Sequence, residues 1–194
     1  MTPRRSPGRR TRWVALLRGI NVGGNNIIPM ADLRECVRAL GYTDVVTYIQ
    51  SGNVLFDAPG TARQVATTLE KALSASFAYQ AKLVLRSAAE MQDVLDDAPE
   101  GFGSDRTQFK YDVLFARPGV DVERLLAEVP VHPEVDVATA GRHALYFRRL
   151  IARETSSRLN RLVQMPVYKE LTIRNWNTTL RLAQMAGTPS ATDT

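Results

Sequence analysis

WVALLRGINVGGNNIIPM, running from Trp13 to Met30, sets the frame for the rest of the chain. Trp13 to Ile20 is apolar on both alternating faces except at Arg18, the pattern of an interior strand covered on both sides. The backbone then crosses Gly19, Asn21, Gly23, Gly24, Asn25 and Asn26 before a helix opens near Pro29. Adjacent glycines between a strand and a helix signal positive φ or a close approach to something bulky. A run of backbone N–H groups beside a helix N-terminus has the character of an anion nest, with Arg18 as a guanidinium alongside. The same residues also suit a tight strand-to-helix turn, because asparagine tolerates left-handed backbone.

Outward from this stretch, the periodicity predicts a helix over 30–40 with Met30, Leu33, Val37 and Leu40 on one stripe and Gly41 as its stop. Residues 45–50 and 54–57 read as strands around the hairpin turn Ser51-Gly52-Asn53. Thr61 caps a helix reaching about residue 77, and a strand follows over 81–85. This is the β-α-β-β-α-β order of a ferredoxin-like unit. Ser87 and Glu90 have capping-box spacing and open a short helix, and residues 96–105 form an acidic loop that reads as a boundary.

The second half repeats the order: a strand over 112–116, a helix capped by Asp121, and strands over 135–139 and 144–148 around Gly141. A helix from Ser156 or Ser157 through Leu159, Leu162 and Val163 follows, then a strand over 167–173 and a final helix striped by Trp176, Leu180 and Ala183. The element order repeats; no residue-by-residue repeat is evident. The expected fold is α+β, two ferredoxin-like halves packed as one compact unit. Residues 1–12 form a disordered basic tail, 13–96 the first half, 97–186 the second half with its C-terminal helix, and 187–194 a flexible tail.

The net charge of +5 suggests nucleic acid until it is located. Arg4, Arg5, Arg9, Arg10 and Arg12 account for all of it, so residues 13–194 are formally neutral. Their charge is uneven: residues 87–136 carry net −8 and residues 142–181 net +7, which leaves a local basic face. Cys36, the single cysteine, excludes an intrachain disulfide and fits a reducing cytoplasm. No apolar run approaches the ~20 residues of a membrane span.

Three stretches, LLRGINVGGNN, TYIQSGNVLF and VYKELTIRNWNT, together resemble the bacterial domain-of-unknown-function 1697 family over about residues 13–185. The resemblance implies a pair of ferredoxin-like halves and no established activity. The arginine-rich N-terminal extension departs from the family pattern, in which the first strand starts almost at once.

The candidate ligand-binding residues are Arg18, Asn21, Gly23, Gly24, Asn25, Asn26, Ser51, Asn53, Lys169, Arg174, Asn175 and Asn177, expected to converge on one anion site. Asn175 or Asn177 caps the last helix, and Trp176 suits core packing better than base stacking. His132 and His143 have no partner at metal-ligand spacing, no GxSxG elbow occurs, and no cofactor is indicated. The expected function is a soluble binding module for an anionic or nucleotide-like ligand, with RNA as one version of it. The alternative is a small enzyme acting on a phosphorylated or carboxylated metabolite. Neither the oligomeric state nor a catalytic residue follows from the sequence.

Overall fold

The apolar run at Trp13 folds as β1 (Thr11–Leu17), an inner strand of a four-stranded antiparallel sheet. This computed structural model describes residues 10–21, 24 and 26–188. Val14 and Leu16 are as fully buried as Ala15 and Leu17, so both faces of β1 are covered, as its unbroken apolar pattern requires. The strand starts two residues before Trp13. Thr11 and Arg12, assigned to the tail from sequence, are its first rungs. Arg12 Nη1 donates to Asp44 O (2.8 Å) and Asp57 Oδ1 (3.2 Å).

Contact density divides the chain into two units, one running to Ala89 and resumed from Gln184, the other Glu90–Ala183. The first unit continues with α1 (Met30–Arg38), β2 (Thr43–Tyr48), β3 (Asn53–Ala58), α2 (Ala62–Ser76) and β4 (Leu83–Ser87). Its strands lie in the order β2-β3-β1-β4, the ferredoxin-like arrangement. One face of the sheet buries Ala15, Leu17 and Phe56 against Leu33 and Val37 of α1 and Leu69 and Leu73 of α2. Thr61 closes a capping box at the start of α2. Its hydroxyl accepts from Gln64 N (3.3 Å), and Gln64 Oε1 accepts from Thr61 N (2.9 Å).

α3 (Ala88–Asp96), β5 (Phe109–Ala116), α4 (Val122–Glu128), β6 (Asp136–Ala140), β7 (Ala144–Leu150), α5 (Leu159–Leu162), β8 (Leu171–Asn175) and α6 (Trp176–Gly187) follow. The second sheet has the order β6-β7-β5-β8, again antiparallel throughout. Leu114, Leu145 and Phe147 pack against Leu125 of α4 and Leu159 and Leu162 of α5.

Three expectations change here. The helix expected after Ser157 is the single turn α5, set between 3₁₀ segments Ile151–Ser156 and Pro166–Glu170. The strand expected from 167 starts only at Leu171. Pro166 opens the second 3₁₀ segment, and buried Val167 gave that segment a strand-like apolar signal. The acidic loop is not a bare linker. Phe102 packs edge-on against Tyr111, Tyr146 and Trp176 at centroid distances of 4.9, 5.4 and 5.1 Å. α3 is bound to the second sheet as well, since Tyr146 Oη donates to Val94 O at 2.7 Å.

The registers also expose a repeat that element order alone conceals. Val14 lies between Leu55 and Arg86, and Val113 lies between Tyr146 and Arg174. Leu83-Val-Leu-Arg-Ser87 and Leu171-Thr-Ile-Arg-Asn175 are therefore equivalent edge strands, each followed directly by a helix. Arg86 and Arg174 are both buried, and each donates through Nη1 to the carbonyl of its preceding residue, at 2.9 and 2.8 Å. Arg18 and Arg117 are equivalent too, their N–H groups donating to Lys82 O and Glu170 O.

Candidate functional site

The glycine–asparagine loop is held by its own side chains. Asn21 Oδ1 accepts from Ile28 N (2.8 Å), while Nδ2 donates to Ile28 O (3.1 Å) and to Gln50 O (2.8 Å). Asn26 Nδ2 donates to Gly19 O (2.8 Å). Asn21, Asn26, Gly19 and Gly24 all have positive φ, as a turn of this tightness requires. Gly23 and Asn25 lie outside the described residues. Arg18 is half-buried and directly precedes the loop in the chain.

The Ser51–Asn53 turn lies against this loop. Leu17 N donates to Gly52 O (2.8 Å), and a Cβ on Gly52, whose φ is +77°, would stand 2.7 Å from Ile20 Cδ1. Asn53 is fully buried and donates to Tyr48 O and Ser51 Oγ, both at 3.0 Å. The structure thus brings Arg18, Asn21, Asn26, Ser51 and Asn53 together. The side chains of Asn21, Asn26 and Asn53 are each engaged in hydrogen bonds to backbone or side-chain groups of this loop and turn. Ile49, beside it, is a β-branched residue at φ +48°.

The third stretch is divided along β8. Lys169 lies before the strand, Asn175 is its last residue and Asn177 follows it, so they occupy opposite ends of an element about 17 Å long. Arg174 is buried, donating to Thr172 Oγ1 (3.2 Å) and Ile173 O (2.8 Å), and burial draws its pKa down to about 10. It faces the side of the sheet opposite Asn175. Asn175 caps α6, its Oδ1 accepting from Thr178 N at 2.8 Å.

Asn175 and Asn177 line a groove of about 420 Å³ in the second unit. Its other walls include three cations, Arg106, Lys110 and Arg149, the carboxylate of Asp112, and the rings of Phe109 and Trp176. The strand register explains the grouping. Lys110 and Asp112 are two residues apart on β5 and share a face; Arg149 lies opposite Lys110, and Asn175 opposite Asp112. Lys110 Nζ is bound to Glu154 at 2.6 and 2.8 Å, and Arg149 reaches Asp112 (3.2 Å) and Glu154 (3.5 Å). Arg106 donates from Nε to Gly103 O (3.0 Å) and has no ion pair among the described residues. Burial pushes the Asp112 carboxyl above its ordinary range, against the pull of Arg149 and Lys110.

Sequence reasoning found Asn175 and Asn177 but passed over Arg106, Lys110, Asp112 and Arg149. Their signal was the charged pair at alternating positions in an otherwise apolar strand, Phe109-Lys-Tyr-Asp-Val113. Among the described residues no group of three His, Cys, Asp or Glu side chains is placed to hold a metal, and no helix is long and apolar enough to cross a membrane.

Residues 10–146 match a protein family described as "Protein of unknown function (DUF1697)". The solved structure of conserved bacterial protein SP0830 from Streptococcus pneumoniae is similar, with 28% sequence identity and a TM-score of 0.81, over 93% of this chain and 100% of that one. No curated protein matches the chain.

Proposed function

The chain belongs to the DUF1697 family, whose function is not known, and on that footing we propose that it is a binding module for a small anionic or nucleotide-like ligand, taken up in the groove of the second unit. The observation that carries this reading is the meeting of Arg106, Lys110 and Arg149 with the N-terminal turn of α6 around about 420 Å³. That volume lies within the range of small-molecule sites. Guanidinium groups and a helix N-terminus both favour a negative guest. Exposed Arg106, with no carboxylate partner among the described residues, is the cation most available to it. Asn177 is exposed at the second residue of α6 and supplies an amide at the rim.

The rings at the groove favour a small ligand over RNA. Trp176 and Tyr111 are buried, and Phe102 packs edge-on against both, so they offer edges rather than an open stacking platform. The enzyme reading has one observation in its favour, the buried carboxylate of Asp112 in the groove.

Calorimetric titration of the full chain with inorganic phosphate and with nucleoside monophosphates tests the proposal. Saturable binding is expected, with Arg106→Ala weakening it at least tenfold while the melting temperature of the unliganded protein is unchanged. Binding that is absent, or indifferent to Arg106→Ala and Lys110→Ala together, overturns it.

A further inference from the structure

Asp112 is only 7% exposed, yet its buried Oδ2 accepts no hydrogen bond among the described residues. Its close partner is Arg149, whose Nη2 stands 3.2 Å from Oδ2 without hydrogen-bond geometry, and Arg149 Nε is itself buried and unbonded. A buried carboxylate with no donor costs several kcal/mol unless something supplies one.

The first unit shows what the fold places there when no such group is needed. By register, Trp13 stands where Asp112 stands, Ala58 where Arg149 stands, and Thr11 where Lys110 stands. Trp13 and Ala58 are buried in the first unit's core, and the indole Nε1 donates to Ala58 O at 3.3 Å. An apolar filling of this corner is therefore compatible with the architecture, and the second unit carries a carboxylate and three cations around open space instead. A groove meant for an anion alone would be weakened by a carboxylate in its wall. A groove meant for an anion that also bears a donor would need one.

We propose that the groove takes a small amino-anion, its phosphate or carboxylate held by Arg106 at the N-terminal turn of α6 and its primary ammonium donating to Asp112. This rests on the anion-binding reading above and narrows its ligand class. Lys110, Arg149, Asp112 and Glu154 form a set of zero formal charge, so an ammonium entering beside Asp112 meets no net repulsion from it. Asn175, whose side chain caps α6, lies opposite Asp112 in register, so the start of α6 and the carboxylate are cross-strand neighbours on one face. That adjacency suits a ligand with three or four bonds between its charged ends.

Two matched pairs of probes test this on the full chain by calorimetry: phosphoethanolamine against ethyl phosphate, and β-alanine against propionate. In one pair or both, the amine-bearing member is expected to bind at least tenfold tighter, and the pair that shows the preference identifies the anionic group. Asp112→Asn is expected to bring the two members within twofold of each other while ethyl phosphate or propionate binds as before. The wild-type comparison needs no variant, so a poorly folding Asp112→Asn protein leaves the test intact. Equal binding of both members overturns the amino-anion assignment and leaves the anion site standing. A preference that survives Asp112→Asn moves the ammonium partner elsewhere and overturns it as well. No binding of any probe overturns this assignment, and the anion reading falls with it if inorganic phosphate also fails to bind.

Discussion

At the scale of single residues, the informative positions are those where the chain departs from its own apolar pattern. Asn21 makes three side-chain hydrogen bonds and adopts φ +53°, so its side chain staples the turn. Asp112 and Arg149 are the reverse: placed inside strands, with poor mutual geometry and open space beside them. Removing one member of such a pair leaves the other charge buried and alone, whereas replacing both with apolar groups of similar size is often neutral. Arg149→Met alone is expected to destabilise the protein by about 2–4 kcal/mol at neutral pH, and Arg149→Met with Asp112→Leu by less than about 1 kcal/mol. Denaturant midpoints of the three proteins check this. The pH dependence has a definite sign. A carboxyl whose folded pKa is raised opposes folding when ionised, so the penalty is present above its folded pKa and disappears as pH falls towards its unfolded value. The loss in Arg149→Met should therefore shrink in acid.

At the scale of elements, α3 shows how a helix is assigned to one sheet. Arg142, in the β6–β7 turn, donates to both oxygens of Asp97 (2.8–3.0 Å) and to Asp93 Oδ1 (2.7 Å), and His143 Nε2 lies 3.2 Å from Asp93 Oδ2. This clasp and the Tyr146–Val94 bond explain why the division of the chain falls at Glu90, ahead of the acidic loop where composition placed it. Hydrogen bonds from Arg142 hold the Asp97 carboxyl below the ordinary range. A depressed carboxyl pKa contributes stability that is present above the unfolded value, near 3.8, and is lost as pH falls through the folded one. Between pH 5 and pH 2 the denaturation midpoint should therefore drop more steeply in the wild type than in Asp97→Asn. The difference is expected to be small, because the pair is solvent-exposed and screened. Parallel pH profiles would mean that the clasp does not contribute to stability.

At the scale of the whole molecule, two ferredoxin-like units carry the same register with different contents. Deleting residues 1–12, read from sequence as tail, removes two rungs of β1 and the Arg12 bonds to Asp57 and Asp44 O. A loss of about 1–3 kcal/mol is expected, recovered in a chain that keeps Arg10 onward. An unchanged denaturation midpoint would contradict this. The sequence by itself determined the strand-and-helix order, the capping of α2 by Thr61 and of α4 by Asp121, and the α+β class, because turn chemistry and hydrophobic period act over a few residues. It did not determine the extent of α5 or the 3₁₀ turn at Pro166, where one buried residue per turn imitates a strand. It showed the repeated element order but not the residue-by-residue repeat, because Trp13 and Asp112 are unlike as residues and become equivalent only through their cross-strand partners. The candidate site was half legible for the same reason. Asn175 and Asn177 announced themselves at a helix start, which is local. The grouping of Arg106, Lys110, Asp112 and Arg149 around them is set by hydrogen-bond register between strands far apart in sequence, and only the tertiary structure fixes that register.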